Sequence, residues 1–149
     1  MGGVSGKRLV RIFLVFGLFF GAGLFYTQNF AFYDRVEGLT QITVQGRAVP
    51  VSDYTGIDAS SSGLKRRGCF RADPAAFEGL DQATNPVPLT PPFWFDCFDT
   101  AQIAEDIAAG RATAYLAAVE ELDGIDRLVA VYPDGRAYEW RQLNDKFSE

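Results

Sequence analysis

Asp99-Thr-Ala-Gln-Ile-Ala-Glu-Asp-Ile-Ala-Ala-Gly110, then Ala112-Thr-Ala-Tyr-Leu-Ala-Ala-Val119, Ile125-Asp-Arg-Leu-Val-Ala-Val-Tyr132 and Arg136-Ala-Tyr-Glu-Trp-Arg-Gln-Leu143, decide the fold class. Asp99 can cap the free amides that open a helix, and Gln102, three residues on, can reach back as in a capping box. Ile103, Ile107 and Ala108 recur on one face of that helix, and Gly110 ends it. The next two runs are apolar and rich in Val, Ile and Ala, so they read as buried strands joined by the acidic turn Glu120-Glu-Leu-Asp-Gly124. Pro133-Asp134-Gly135 turns the chain into a third strand, where Ala137, Glu139 and Arg141 alternate with Tyr138, Trp140 and Gln142. A helix followed by strands in tight turns predicts an α+β domain: a small antiparallel sheet with one main covering helix, and no parallel crossover.

Upstream, Gln41 to Val44 and Ala48 to Val51 read as a hairpin around Gln45-Gly46, after a stalk reaching Gly38. Asp58 to Gly63 is a loop by composition. Lys65 to Arg71 is predicted to be a strand that carries Cys69 inward, so that Phe70, its neighbour, faces away from the core. Five of the seven prolines lie between Asp73 and Pro92, which leaves room for one helical turn from Pro74 to Leu80. Phe93-Trp-Phe-Asp-Cys-Phe98 is too aromatic to stand in water, so it packs into the core or offers a recognition patch at Phe93, Trp94 and Phe95.

Charge divides the 149 residues unevenly. Lys7, Arg8 and Arg11 are the only charged residues before Asp34; from Asp34 onward eleven cations face nineteen carboxylates, a formal −8. The 22 residues between Arg11 and Asp34 carry no charge, and Ile12 to Tyr26 is apolar or Gly throughout. Counted from Leu9, with Arg11 snorkelling, the run makes a helix of roughly 27 Å against a bilayer core of about 30 Å. The division expected is therefore a basic cytoplasmic tail at 1–8, a transmembrane anchor and interfacial belt at 9–33, and a periplasmic domain at 34–149. Cations on one flank only set the N-terminus in the cytoplasm and the remainder outside it, and Tyr26, Phe30, Phe32 and Tyr33 form an aromatic belt on the outer side. The competing reading is a cleavable signal peptide with Gly21 and Gly23 at the cleavage site. Gly17 and Gly21 also make a G-x-x-x-G, a helix-packing pattern of low specificity.

Cys69 and Cys97 are the only thiols. In an exported domain a disulfide between them is the economical reading, with two buried free thiols as the alternative. A redox-active pair lacks the close Cys-x-x-Cys spacing, although Arg66, Arg67 and Arg71 flank Cys69. The chain has no His, which removes the commonest general base and metal ligand and makes an enzyme improbable. Lys65-Arg66-Arg67 could hold an anionic partner or lipid headgroups, but its blander reading is a solvated strand end. Asp96 with Asp99, and Glu120 with Glu121 and Asp123, could be imagined as acid/base or calcium sites; caps and solvated turns explain them more simply. No phosphate loop or nucleophile elbow is present, so no cofactor, metal or catalytic residue is expected, and the acidic balance gives nucleic acid no footing.

Several elements together, Arg67-Gly-Cys-Phe70, Trp94-Phe-Asp-Cys-Phe-Asp99, Gly124-Ile-Asp-Arg-Leu-Val-Ala-Val131, Asp134-Gly-Arg136 and Tyr138-Glu-Trp140, resemble an uncharacterised alphaproteobacterial family of small single-span membrane proteins. The resemblance covers most of the chain and implies lineage and topology, with no mechanism and no functional residues. Its members often have a further Cys near the C-terminus, whereas this chain ends Asn144-Asp-Lys-Phe-Ser-Glu149. The expected role is a non-catalytic accessory or assembly module of an envelope complex. Its partners would be the bilayer, through the N-terminal helix, and an unknown membrane or periplasmic protein. The alternative is a small-ligand-binding or enzymatic domain secreted after cleavage.

Overall fold

A computed structural model describes residues 2–147. The chain forms two units, Met1–Phe32 and Tyr33–Glu149. In the first, α1 (Gly6–Tyr26) runs into a π-helical turn, Thr27–Ala31. Leu, Phe and Val without Pro sustain the helix, whose 21 residues span about 32 Å. Its polar end is closed locally: Thr27 Oγ1 donates to the Leu24 carbonyl at 3.0 Å and Asn29 Nδ2 to that of Phe25 at 2.9 Å. The 26-residue stretch Gly6–Ala31 has a mean hydropathy of 2.0 in its most apolar window, long and apolar enough to cross a membrane. Gly17 and Gly21 stand one turn apart on α1, each with open space where a Cβ would be.

The second unit is α+β. Strands β1 (Asp34–Glu37), β4 (Ser52–Asp58), β5 (Arg67–Arg71), β6 (Thr113–Leu122), β7 (Ile125–Val131) and β8 (Arg136–Leu143) form one antiparallel sheet in the order β1-β4-β5-β8-β7-β6. A separate hairpin pairs β2 (Gln41–Val44) with β3 (Arg47–Pro50), its turn made by Gln45 and Gly46 at positive φ. The helix α2 (Thr100–Ala108) is capped by Asp99, whose carboxylate accepts the Gln102 amide at 3.1 Å.

The antiparallel sheet carries one main covering helix, as expected, and its other face is covered as well, by the β2–β3 hairpin. Tyr54, Phe70, Val129, Val131 and Ala137 pack beneath the β2–β3 hairpin through Ile42, Val44 and Val49, joined by Phe77. On the other face Ile57, Leu128, Ala130 and Trp140 pack under Phe95, Phe98 and Ile103 of the aromatic strip and α2. This corrects the reading of β5: Cys69 and Phe70 point to opposite faces, as strand geometry requires, yet each finds a hydrophobic cluster. The stalk to Gly38 is corrected too, since residues 34–37 form β1 against Thr55 to Asp58. In α2, Ala108 is exposed and the buried positions are Ile103 and Asp106. The capping box is half made, because the Gln102 side chain donates forward to Asp106 at 2.9 Å rather than back to Asp99.

A disulfide joins Cys69 on β5 to Cys97 in the strip, 28 residues apart. Closing a loop of that length removes roughly 3 to 4 kcal/mol of unfolded-chain entropy in the loop-closure model. It fastens the irregular segment 84–98, which is tied to the sheet also by the packing of Phe95 and Phe98 and by polar contacts. The Gln142 side chain accepts the Val87 amide at 2.7 Å and donates to the Asn85 carbonyl at 2.8 Å, and Arg67 Nε donates to the Leu89 carbonyl at 2.8 Å.

Candidate functional site

Charged and aromatic side chains gather in three places. The first lies under the hairpin. Glu139, at the centre of β8 and with no exposed surface, accepts from the Tyr54 hydroxyl, from Arg66 at 3.1 Å and from Arg127 at 3.2 Å. Arg127 continues to Glu121 at 3.0 Å and to the Thr43 carbonyl at 2.6 Å, while Arg66 reaches Asp58 at 3.2 Å. The pairing is what makes a buried carboxylate tolerable, since an isolated one would cost several kcal/mol after relaxation. Burial, with Glu139 beside it, pushes the Tyr54 hydroxyl far above its ordinary pKa. Burial alone would lower Arg66, but Glu139, Tyr54 and Asp58 together hold it above the ordinary guanidinium value. A network satisfied in this way pins the hairpin to the sheet.

The second place is an open cavity of about 580 Å³ lined by Gln102, Asp106, Arg111, Tyr132, Asp134 and Arg136. Asp106 accepts from Tyr132 at 2.6 Å, from Arg111 Nε at 2.6 Å and from Gln102 at 2.9 Å, and these bonds, that of Tyr132 foremost, hold its carboxyl below the ordinary range. Arg136 stacks on the Tyr132 ring at 4.4 Å and pairs with Asp134 at 2.8 Å. Each charge here already faces an opposite one, an arrangement suited to fixing α2 against β7.

The third place is a corner where cations meet rings. Arg35 lies over Trp94 at 5.0 Å, Lys65 over Tyr33 at 4.9 Å and Arg67 over Phe98 at 6.0 Å, and Tyr33 meets Trp94 edge-on at 5.7 Å. Arg67 is 4% exposed, and its guanidinium donates to the carbonyls of Leu64, Arg66 and Leu89. Burial pulls it down to about 10, so it remains a cation at neutral pH. Among the described residues no carboxylate forms an ion pair with Arg35 or Arg67.

The basic run is therefore no solvated strand end: Arg66 and Arg67 turn to opposite faces and are taken up by a carboxylate network and by backbone carbonyls. The strip Phe93, Trp94 and Phe95 is divided, with Phe93 on the surface at 66% exposure, Trp94 half-buried and Phe95 in the core. Asp96 is exposed and Asp99 is the cap. Glu121 joins the Arg127 network, Asp123 pairs with Lys146, and Glu120 accepts from Asn144 at 2.7 Å. Among the described residues no group of His, Cys, Asp or Glu is placed to hold a metal ion. Glu139, Tyr54 and Asp106 carry no local signal in the sequence, because alternation assigns the Glu to solvent and helical spacing assigns the Asp to the polar face.

These features define a class: a small α+β domain, its sheet covered on both faces, preceded by a helix long and apolar enough to cross a membrane. Residues 36–149 match the model of a family of unknown function (DUF6446), and the chain belongs to that family. No curated protein and no solved structure matches it.

Proposed function

We propose that the protein is a single-pass membrane protein of the bacterial inner membrane whose acidic domain lies on the periplasmic side and acts as a non-catalytic accessory or assembly module of an envelope complex. The observation that carries this reading is α1, which presents Ile12, Phe13, Leu14, Phe16, Leu18, Phe19 and Phe20 outward, each more than half exposed. So much apolar surface is stable only against lipid or another helix. The basic flank at Lys7, Arg8 and Arg11 supports the orientation, and the disulfide suits an oxidising compartment. The buried carboxylates Glu139 and Asp106 support a structural rather than a catalytic assignment, since both are committed to hydrogen bonds inside the fold.

Three measurements on cells making the full chain test it: resistance of the protein to alkaline carbonate extraction, its intact mass, and digestion of the domain by protease added to spheroplasts. An embedded, uncleaved chain whose domain is digested from outside is the expected result. A mass matching cleavage after Gly23 would replace this reading with that of a secreted domain.

A further inference from the structure

Arg35, on β1, is brought by the fold to the corner that holds Lys65 and Arg67 of the basic run, so the third cation comes from a part of the chain thirty residues away. Rings of Tyr33, Trp94 and Phe98 lie against the three cations, contacts that favour the cationic side chains where they stand. Of the three, Arg35 is exposed, Lys65 is half-buried and Arg67 lies beneath, its positive charge balanced only by neutral carbonyls. In a domain with a formal −8 these cations stand together without a carboxylate ion-paired to Arg35 or Arg67 among the described residues, which suits them to an anion. Position along the chain narrows the choice of anion. Arg35 stands three residues beyond Phe32, so at most roughly 10 Å of extended chain separates it from the end of the first unit. If α1 is embedded, that places Arg35 at headgroup depth, where the amphipathic rings of Tyr33 and Trp94 are also at home.

We propose that Arg35 and Lys65, with Arg67 behind them and Tyr33 and Trp94 as walls, form a binding site for the phosphate of an anionic phospholipid headgroup. Arg35 supplies paired N–H donors to two phosphate oxygens, Lys65 a point charge, and Arg67 a fixed field from below. The site rests on the membrane-anchor reading and gives it a defined contact with lipid.

The test uses the full chain in nanodiscs of phosphatidylcholine, with and without phosphatidylglycerol. The readouts are backbone hydrogen exchange over residues 33–37 and 63–67, and the phosphatidylglycerol retained in native mass spectra. Phosphatidylglycerol should protect both segments. Arg35→Gln or Lys65→Gln should each weaken retention roughly fivefold, the double variant about 25-fold, as expected when each cation near a charged surface contributes about one factor of five. Arg71→Gln, which removes an exposed cation of the same strand outside the corner, should leave retention unchanged. Equal protection in both lipids, or in the double variant, overturns the site. Protection by inorganic phosphate in phosphatidylcholine discs overturns the lipid assignment. A chain released by carbonate overturns the anchor reading and this one with it, whereas an embedded chain indifferent to phosphatidylglycerol overturns the site alone.

Discussion

Tyr54 on β4 donates its hydroxyl to Glu139 on β8 across the intervening strand β5, where the residue between them is Gly68. The sheet can place these two side chains in contact only because β5 presents no side chain at that point. Two guanidinium groups complete the shell of Glu139, so β4, β7, β8 and the residue that leads into β5 all depend on one carboxylate.

Glu139→Gln is accordingly expected to destabilise the domain by about 3 kcal/mol, the low end for a broken buried ion pair, because Arg66 and Arg127 lose their buried partner and keep only Asp58 and Glu121. Tyr54→Phe, which removes one hydrogen bond to a charged acceptor, should cost less, about 1.5 to 3 kcal/mol. Denaturant unfolding of both variants in detergent checks the order; equal losses would mean that the ion pairs contribute nothing beyond the tyrosine bond.

Gly68→Ala introduces a Cβ 2.6 Å from the Tyr54 hydroxyl and 2.9 Å from Glu139 Cγ. A loss of about 1 to 3 kcal/mol is expected from overpacking. Because the nearest clash is with the hydroxyl itself, the double variant Gly68→Ala, Tyr54→Phe should lose less than the sum of the two single changes. Strict additivity in the same unfolding assay would contradict the contact.

Acid should weaken the domain. Hydrogen bonds from Tyr132 and Arg111 hold Asp106 below its ordinary 3.8; burial would raise Glu121 above its ordinary 4.5, but Arg127 and Arg141 outweigh it and hold it lower. A carboxyl depressed in the folded state contributes stability above its unfolded pKa and loses it as the pH falls through the folded value. The thermal midpoint should thus be level above 4.5 and decline on acidification below it, with a shallower decline in Asp106→Asn. A profile identical to that of the parent would remove Asp106 from the account.

Cys97→Ser, or reduction of the parent protein, should lower stability by roughly 3 to 4 kcal/mol through the freed loop. The measurement is the unfolding midpoint with and without a dithiol. No change on reduction would show that the packed rings and polar ties of segment 84–98 suffice by themselves.

The parts of the fold that were legible in the sequence are those specified by neighbours in the chain. The α2 cap at Asp99, the hairpin turn at Gln45-Gly46 and the three strands after Gly110 each carry their own punctuation. β1 and β4 were not legible. Asp34–Glu37 is an edge strand of mostly polar residues, and Ser52–Asp58 breaks its alternation with Gly56 and with Asp53 at positive φ. Only their pairing with each other and with β5, across long stretches of chain, makes them strands. The candidate sites divide along the same line. Cys69 and Cys97 are visible as a pair, and so are Lys65 and Arg67 within the basic run, whereas Arg35 joins that corner only through the sheet.

That order has a further consequence. β8, made last, stands in the middle: it joins β1-β4-β5 on one side to β7-β6 on the other. A nascent polypeptide that has not yet delivered Arg136 to Leu143 holds two separate partial sheets, with the ring of Trp140 and the carboxylate of Glu139 both still missing from their interiors. Assembly of the whole sheet therefore waits on this closing keystone.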